Sequence, residues 1–322
     1  MTHARPVLAT VAVTACLPYL TLKLSWLSGG STGIPEGSPL HDGGTAMWLL
    51  NALTVAMDGT VVLLVLALTR PWGRRLPAPV PALPLWIACG LLGPIVVAFP
   101  VQALSGLLGV APGGDGDTDG GDAVLESWVW TVVYSGFVVQ ALALGALFAR
   151  YVRDRWGPLL RSPLHRHVRG RRSGTRSGCA FAAAVAVSLP VLAGHAARLA
   201  DEHADNRVTD ATFLLYTVTA LAAVARLLRA GGSERPAGAA LWPTLAAAWL
   251  GSGVLACWGG WLLLGALSGG GRALGQQASG AALLTYACQA LAGLLLAALA
   301  ARQVHHRAHL PAAGAADTAV RG

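Results

Sequence analysis

The sequence predicts an all-α membrane protein, a polytopic bundle of about eight transmembrane helices. Hydrophobic residues make up 54% of the chain and charged residues 12%, whereas soluble domains carry about 25% charged residues. Several apolar runs reach roughly 20 residues, the length of helix that crosses about 30 Å of hydrocarbon. The alternating segments of about 10 residues that are typical of a transmembrane barrel are missing. These observations exclude a soluble globular domain and favour a helix bundle.

Eight apolar runs are separated by polar breaks, and each run is one predicted span. The spans cover about 7–27, 46–69, 82–109, 127–149, 178–199, 210–228, 241–267 and 279–301. The third span is long and holds Pro94 and Pro100, so we expect a kink or a strong tilt there. The run after Arg5 resembles a secretory signal. It stays apolar past Cys16 to Leu27, however, so we expect it to remain as the first span.

Arginine is divided unequally between the two sets of alternating loops. Nineteen of the 22 arginines lie in the terminal segments and in the loops near 70–80, 150–177 and 226–240, and three lie in the remaining loops. Eleven of the 15 acidic residues lie in those remaining loops. The positive-inside rule then predicts a multi-pass protein of the plasma membrane with both termini cytoplasmic. A missed span would invert every later loop, so the same split supports eight spans.

The sequence predicts one membrane domain over 1–322, with a duplication that gives halves of 1–150 and 178–301. The matches are Pro18 and Lys23 with Pro190 and His195, Arg70 and Trp86 with Arg226 and Trp242, and Gln140-Ala141-Leu142-Ala143 with Gln289-Ala290-Leu291-Ala292. The alternative is chance, because helices rich in Ala and Leu give accidental matches such as Gln102-Ala103-Leu104. Halves with an even number of spans would be parallel copies related by an axis along the membrane normal.

The loop 150–177 is strongly basic and precedes the fifth span. We expect it to contact anionic lipid, since each basic residue near the membrane surface contributes about 1 kcal/mol. A protein partner is the alternative, and nucleic acid is disfavoured because the loop has few aromatic residues, Trp156 among them, and no recognisable fold signature. We expect the tail 302–322 to be cytoplasmic and solvated. Its histidines His305, His306 and His309 have no acidic or Cys residue nearby in the sequence, so a metal site is disfavoured.

The acidic segment 113–122 has Asp at alternate positions, but it lacks the later Glu and the flanking amphipathic helices of an EF-hand. We therefore interpret it as a solvated loop. The five cysteines fall in or beside apolar runs without a Cys-x-x-Cys motif, so we interpret them as small packing residues. The sequence predicts no cofactor and no metal site.

Lys23 and Asp58 are the two charged residues placed well within spans. A charge at membrane depth costs at least about 2.5–3.5 kcal/mol and usually pairs or faces a cavity. The axial gap between them is on the order of 13 Å, and side chains that lean toward their own helix N-terminus shorten it. Three interpretations stay open: Lys23 snorkels to the headgroups, the two residues form a direct or water-bridged ion pair, or they form an ion or proton site.

Further polar side chains lie at membrane depth and complete the candidate intramembrane polar site. His195 lies near one end of the fifth span, and we expect it to be structural. Gln140 and Gln289 are expected to form hydrogen bonds between helices, as are Asn51 and Gln102. The candidate site therefore comprises Lys23, Asp58, His195, Gln140 and Gln289.

Residues 23–35 read Lys-Leu-Ser-Trp-Leu-Ser-Gly-Gly-Ser-Thr-Gly-Ile-Pro. This segment resembles a K-x-x-W-x-x-G-G-x-x-G-(I/L)-P pattern at the end of the first helix of uncharacterised actinobacterial integral membrane proteins. The resemblance implies a membrane location and an actinobacterial lineage, and it implies no activity. The second half lacks the pattern, because His195 is followed by Arg198 but by no Trp or Gly pair.

Three classes of function follow from the sequence. The leading expectation is a structural or accessory role, or the transport of a small solute through a polar cavity reached by Lys23 and Asp58. The second is a partner-binding subunit that acts through the loop 150–177, with the partner unidentified. The third, a membrane-embedded enzyme, is disfavoured because the chain has no Gly-x-Ser-x-Gly or His-Glu-x-x-His motif.

Overall fold

The computed structural model describes residues 4–42, 44–108, 124–161, 175–201, 206–229, 241–268 and 278–308. The predicted segment 113–122, residues 162–174 of the basic loop and residues 309–322 of the tail lie outside the described residues. Within the described ranges, eight helices are long and apolar enough to cross a membrane. The predicted all-α membrane bundle of eight helices is therefore confirmed.

The helices coincide with the predicted spans to within a few residues, except at two ends. They are α1 (Ala4–Leu27), α2 (Gly44–Thr69), α3 (Pro79–Leu107), α4 (Ser127–Leu160), α5 (Thr175–Ala200), α6 (Arg207–Arg229), α7 (Leu241–Leu267) and α8 (Gly280–Ala308). The helices α4 and α8 extend beyond the apolar runs because hydropathy marks the part of a helix that lies in lipid and not its end. The helix α4 bends at Trp156, where φ is −129° and ψ is 22°, two residues before Pro158.

The contacts between connections and helix ends define two sides of the bundle. Arg5 at the start of α1 pairs with Asp154 near the end of α4. Ser38, in the α1–α2 connection, donates to the carbonyl oxygen of Val124, just before α4, at 2.8 Å. We call the side with the start of α1 and the end of α4 the terminal side, and the side with the α1–α2 connection the distal side.

Packing divides the helices into two sets of four. In the first set α1 packs against α2 and α4, and α3 packs against both of these; in the second set α5 packs against α6 and α8, and α7 packs against both of these. Each set has its own buried core, one drawn from residues between Ala12 and Tyr151 and one from residues between Ala184 and Leu299. The duplication stays a prediction, but the order of neighbours is the same in the two sets.

The two sets meet chiefly where α3 crosses α7. A Cβ placed on Gly90 would collide with the backbone of Gly253, so the two helices touch backbone to backbone. The Trp258 side chain of α7 donates from Nε1 to the carbonyl oxygen of Leu91 at 2.9 Å. This hydrogen bond lies beside Pro94, which has no N–H to offer the preceding turn. Despite its prolines, α3 forms one helix over Pro79–Leu107.

Candidate intramembrane binding site

A cavity of about 490 Å³ lies within the first set of helices. Residues of α1, α2, α3 and α4 form most of its wall, and Trp258 and Trp261 of α7 complete it. The cavity extends from Trp26 near the distal side to Leu83 near the terminal side. Its wall is mostly apolar, and the polar side chains that it does contain include Lys23, Asp58 and Gln140 of the predicted site. A space of this size and character is typical of small-molecule sites.

Lys23 is half-buried and contacts side chains of α1 and α2. Its Nζ donates to Asn51 Oδ1 of α2 at 2.7 Å. The same nitrogen lies 4.5 Å from the ring centroid of Trp26 and 5.1 Å from that of Tyr19, within the range of cation–π attraction. These contacts hold the ammonium at the cavity wall, and snorkelling to the headgroups stays a prediction.

Asp58 lies deeper in the same cavity and keeps unused hydrogen-bonding capacity. Its side chain is 6% exposed, and Oδ2 has no hydrogen-bond partner among the described residues. The Gln140 amide lies within interaction range of the carboxyl group, and its own Oε1 is also buried without a described partner. No direct ion pair joins Asp58 to Lys23 within the described part of the chain, although both line one space. Two side chains that line the cavity thus each keep a buried acceptor without a described partner, and no described cation forms an ion pair with Asp58.

The predicted residues His195 and Gln289 lie in the second set of helices, in a separate polar cluster. His195 Nδ1 lies 2.6 Å from Asp210 Oδ1, and His195 Nε2 lies 3.4 Å from Gln289 Oε1. Arg198 Nε donates to the same Asp210 oxygen at 2.9 Å. All of these side chains except Arg198 are buried. The five candidate residues therefore divide between two sites, three in the cavity and two in this cluster.

Sequence reasoning missed Asp210, which it counted among the acidic residues of a loop. The structure places it in the first turn of α6, where a 7% exposed side chain faces the end of α5. The signal was present: Asp210 directly precedes the apolar run of α6, and the connection from Arg198 is short. A carboxylate at that position meets any basic residue on the last turn of the preceding helix.

The two polar sites occupy corresponding places in the two sets. In each set a basic side chain comes from the first helix, a carboxylate from the second and a glutamine amide from the fourth. Lys23, Asp58 and Gln140 fill these places in the first set. In the second set, Arg198 also places a guanidinium on the carboxylate.

The segment 28–35 connects the end of α1 to the start of α4 through hydrogen bonds on the distal side. Gly29 and Gly33 have φ of +89° and +74°, a conformation that glycine adopts without steric cost. Trp26 Nε1 donates to the carbonyl oxygen of Thr32 at 2.9 Å, and the Gly33 carbonyl oxygen accepts from the Glu126 N–H at 3.0 Å. The residues of the sequence pattern thus tie α1 to the start of α4 on the distal side.

The described part of the basic loop continues α4 on the terminal side. Arg155 donates to the carbonyl oxygen of Leu76 at 2.8 Å and to the Tyr151 hydroxyl at 2.5 Å, and its guanidinium lies 5.0 Å from the Trp156 ring centroid. This arginine therefore fixes the α2–α3 connection to α4. The five cysteines are free thiols, as their interpretation as packing residues requires.

Comparison with protein-family models, with curated proteins and with solved structures found no match to this chain.

Proposed function

We propose that this integral membrane protein binds a small solute in the cavity of its first four helices and transports it across the membrane. The observation that carries the proposal is the pair of buried acceptors, Asp58 Oδ2 and Gln140 Oε1, which have no partner among the described residues and belong to side chains that line the cavity. A structural role for Asp58 would be better served by a direct pair with Lys23. A bound molecule that donates hydrogen bonds supplies what this wall lacks.

The energetics support the same function. A buried polar group without a hydrogen bond costs about 1–3 kcal/mol, and more when it is charged. Intramembrane carboxylates are for this reason rare, and those that line cavities mark substrate or ion pathways. The corresponding carboxylate of the second set, Asp210, has both His195 and Arg198 as partners. Asp58 is thus the carboxylate that keeps room for a solute.

We place the protein in the plasma membrane with both termini cytoplasmic, which makes the distal side the exterior. The distribution of arginine supports this orientation, and the pattern over 23–35 supports a lineage among actinobacterial membrane proteins. In cells, phosphatase fused after residue 322 is expected to be inactive, and phosphatase inserted in the 113–122 segment is expected to be active, since the enzyme folds only when exported. The reverse activities would contradict the orientation but not the helix bundle.

Access to the cavity tests the proposed transport without knowledge of the solute. In a variant whose five cysteines are replaced by alanine, Thr54→Cys places a thiol in the cavity wall. A small, membrane-impermeant methanethiosulfonate with a cationic group is expected to modify this thiol from both sides of sealed vesicles. Mass spectrometry of the intact chain gives the extent of modification for each side.

Thr217→Cys is the matched control for this measurement. Thr217 is fully buried in α6 and does not line the cavity, so its thiol is expected to stay unmodified under the same conditions. Modification of Thr54→Cys from one side only would favour the accessory role, in which the solute binds without crossing. Equal protection of both thiols would contradict a solute cavity.

A further inference from the structure

We propose that the ligand of this cavity is a zwitterionic amphiphile, with its ammonium at Asp58 and Gln140, its anionic group at Lys23, and its apolar body between α2 and α3. This inference rests on the proposed function, because it names the class of molecule that the same cavity takes.

The cavity wall contains a basic and an acidic side chain whose hydrogen-bonding capacity the described residues do not fill. Lys23 makes one hydrogen bond among the described residues, to Asn51, whereas an ammonium has three N–H groups. Asp58 Oδ2 and Gln140 Oε1 accept none. The wall thus presents one cation and one anion that do not touch each other. A ligand with a single charge would satisfy one of them and leave the other buried without a counter-charge, whereas a zwitterion satisfies both.

The second set of helices shows how protein groups satisfy a buried carboxylate of this kind. Its Asp210 meets the guanidinium of Arg198, three residues after His195. The residue three positions after Lys23 is Trp26, so the first set supplies an aromatic ring where the second supplies a cation. Lys23 already lies against the Trp26 ring, with Nζ 4.5 Å from its centroid, and no described cation forms an ion pair with Asp58. The ligand's ammonium in the first set would take the part that Arg198 plays in the second.

Helix register explains why the first set leaves space for that ammonium. When Arg70 is aligned with Arg226, the position in α2 that corresponds to Asp210 is Thr54. Asp58 lies four residues further along α2, which is about 5–6 Å deeper in the bundle at 1.5 Å per residue. Lys23 is fixed at the level of Asn51 by its hydrogen bond, so it stays short of the carboxylate. The one-turn displacement is the gap that the headgroup of the ligand fills.

The opening of the cavity indicates that the ligand is an amphiphile. Leu83 and Ile87 of α3 line the cavity and are also 58% and 37% exposed. The cavity therefore reaches the lipid-facing surface along α3 on the terminal side. A molecule with an apolar chain enters such a space from the hydrocarbon and leaves its chain in the opening, with the headgroup near Asp58.

The test compares ligands with identical chains and different headgroups. The full chain is reconstituted in nanodiscs of phosphatidylglycerol, which supplies no zwitterion, and titrated with lysophosphatidylethanolamine, lysophosphatidylglycerol or an alkyltrimethylammonium. Native mass spectrometry counts the bound molecules. We expect lysophosphatidylethanolamine to bind at least tenfold more tightly than either singly charged ligand. Equal or tighter binding of a singly charged ligand would overturn the inference, even where the Thr54→Cys thiol is modified and the proposed function stands.

Two further arms test the headgroup contacts and the chain. Asp58→Asn and Lys23→Gln are each expected to weaken binding of lysophosphatidylethanolamine about tenfold, while Asp154→Asn, on the exposed surface of α4, leaves it unchanged. Free phosphoethanolamine, which has the headgroup without a chain, is expected not to bind. If free phosphoethanolamine bound as tightly as the lysolipid, the inference that the ligand is an amphiphile would be overturned. The comparison of ligands on the unmodified protein decides the matter if a variant fails to fold.

Discussion

Gly259→Leu is expected to destabilise the protein by about 3 kcal/mol, because it forces a side chain into a contact between two backbones. Gly259 of α7 faces α8, and a Cβ there would lie 2.8 Å from the Tyr286 carbonyl oxygen and 3.0 Å from Ala290 Cα. Gly293 of α8 makes the reciprocal contact with α7. A Cβ on either glycine meets backbone atoms, which cannot move aside as a flexible side chain can. The expected readout is a lower midpoint of thermal unfolding, measured by circular dichroism in detergent.

Gly260→Leu on the next residue is the matched control. A Cβ on Gly260 has open space within 4 Å, so the same substitution is expected to leave the unfolding midpoint unchanged or slightly raised through better helix propensity. Equal losses of stability in the two variants would mean that α7 and α8 do not approach as closely as the structure places them.

Asp210→Ala is expected to cost about 3 kcal/mol of stability, since removal of one partner leaves a buried polar cluster incomplete. Asp210 holds His195 and Arg198 through one oxygen, at 2.6 and 2.9 Å. Without it, Arg198 loses its carboxylate, and the histidine is left with the 3.4 Å contact with Gln289 and the 2.8 Å contact of Nδ1 with Arg198. The change should appear as a lower unfolding midpoint in the same thermal measurement.

Asp154→Ala provides the comparison at the surface. Asp154 pairs with Arg5, and the two side chains are 44% and 40% exposed, so solvent screens their attraction. We expect its loss to cost less than about 1 kcal/mol. If Asp210→Ala proved no more damaging than Asp154→Ala, the cluster at the end of α5 would contribute nothing to stability beyond a surface pair.

The sequence predicted the spans well because the thickness of a membrane fixes how long an apolar run must be. It predicted the ends less well. The apolar run ends before Arg150, yet α4 continues to Leu160 because Arg155 donates a hydrogen bond to a carbonyl oxygen of the α2–α3 connection. Similarly, α8 continues through His305 and His306 to Ala308. Helix ends of this kind depend on contacts between distant segments, which an apolar run does not record.

The sequence predicted the residues of the candidate site, but not that they divide between two sites. Lys23 and Asp58 stood out because charges at membrane depth are costly, and both line the cavity. Position along a span gives the depth of a side chain, but not the direction in which it points around the helix axis. For this reason the sequence could not separate Gln140, which faces Asp58, from Gln289, which faces His195. The packing of the helices makes that distinction.

The two polar sites differ in how far the protein itself supplies partners for their carboxylates. Arg198 and His195 both contact their carboxylate, so the protein itself supplies partners for Asp210. The other set has no described ion pair between Lys23 and Asp58, and in the proposed function a bound solute supplies the missing partners. A bundle of two similarly arranged sets of helices can in this way keep one set rigid and leave the other available to bind a ligand.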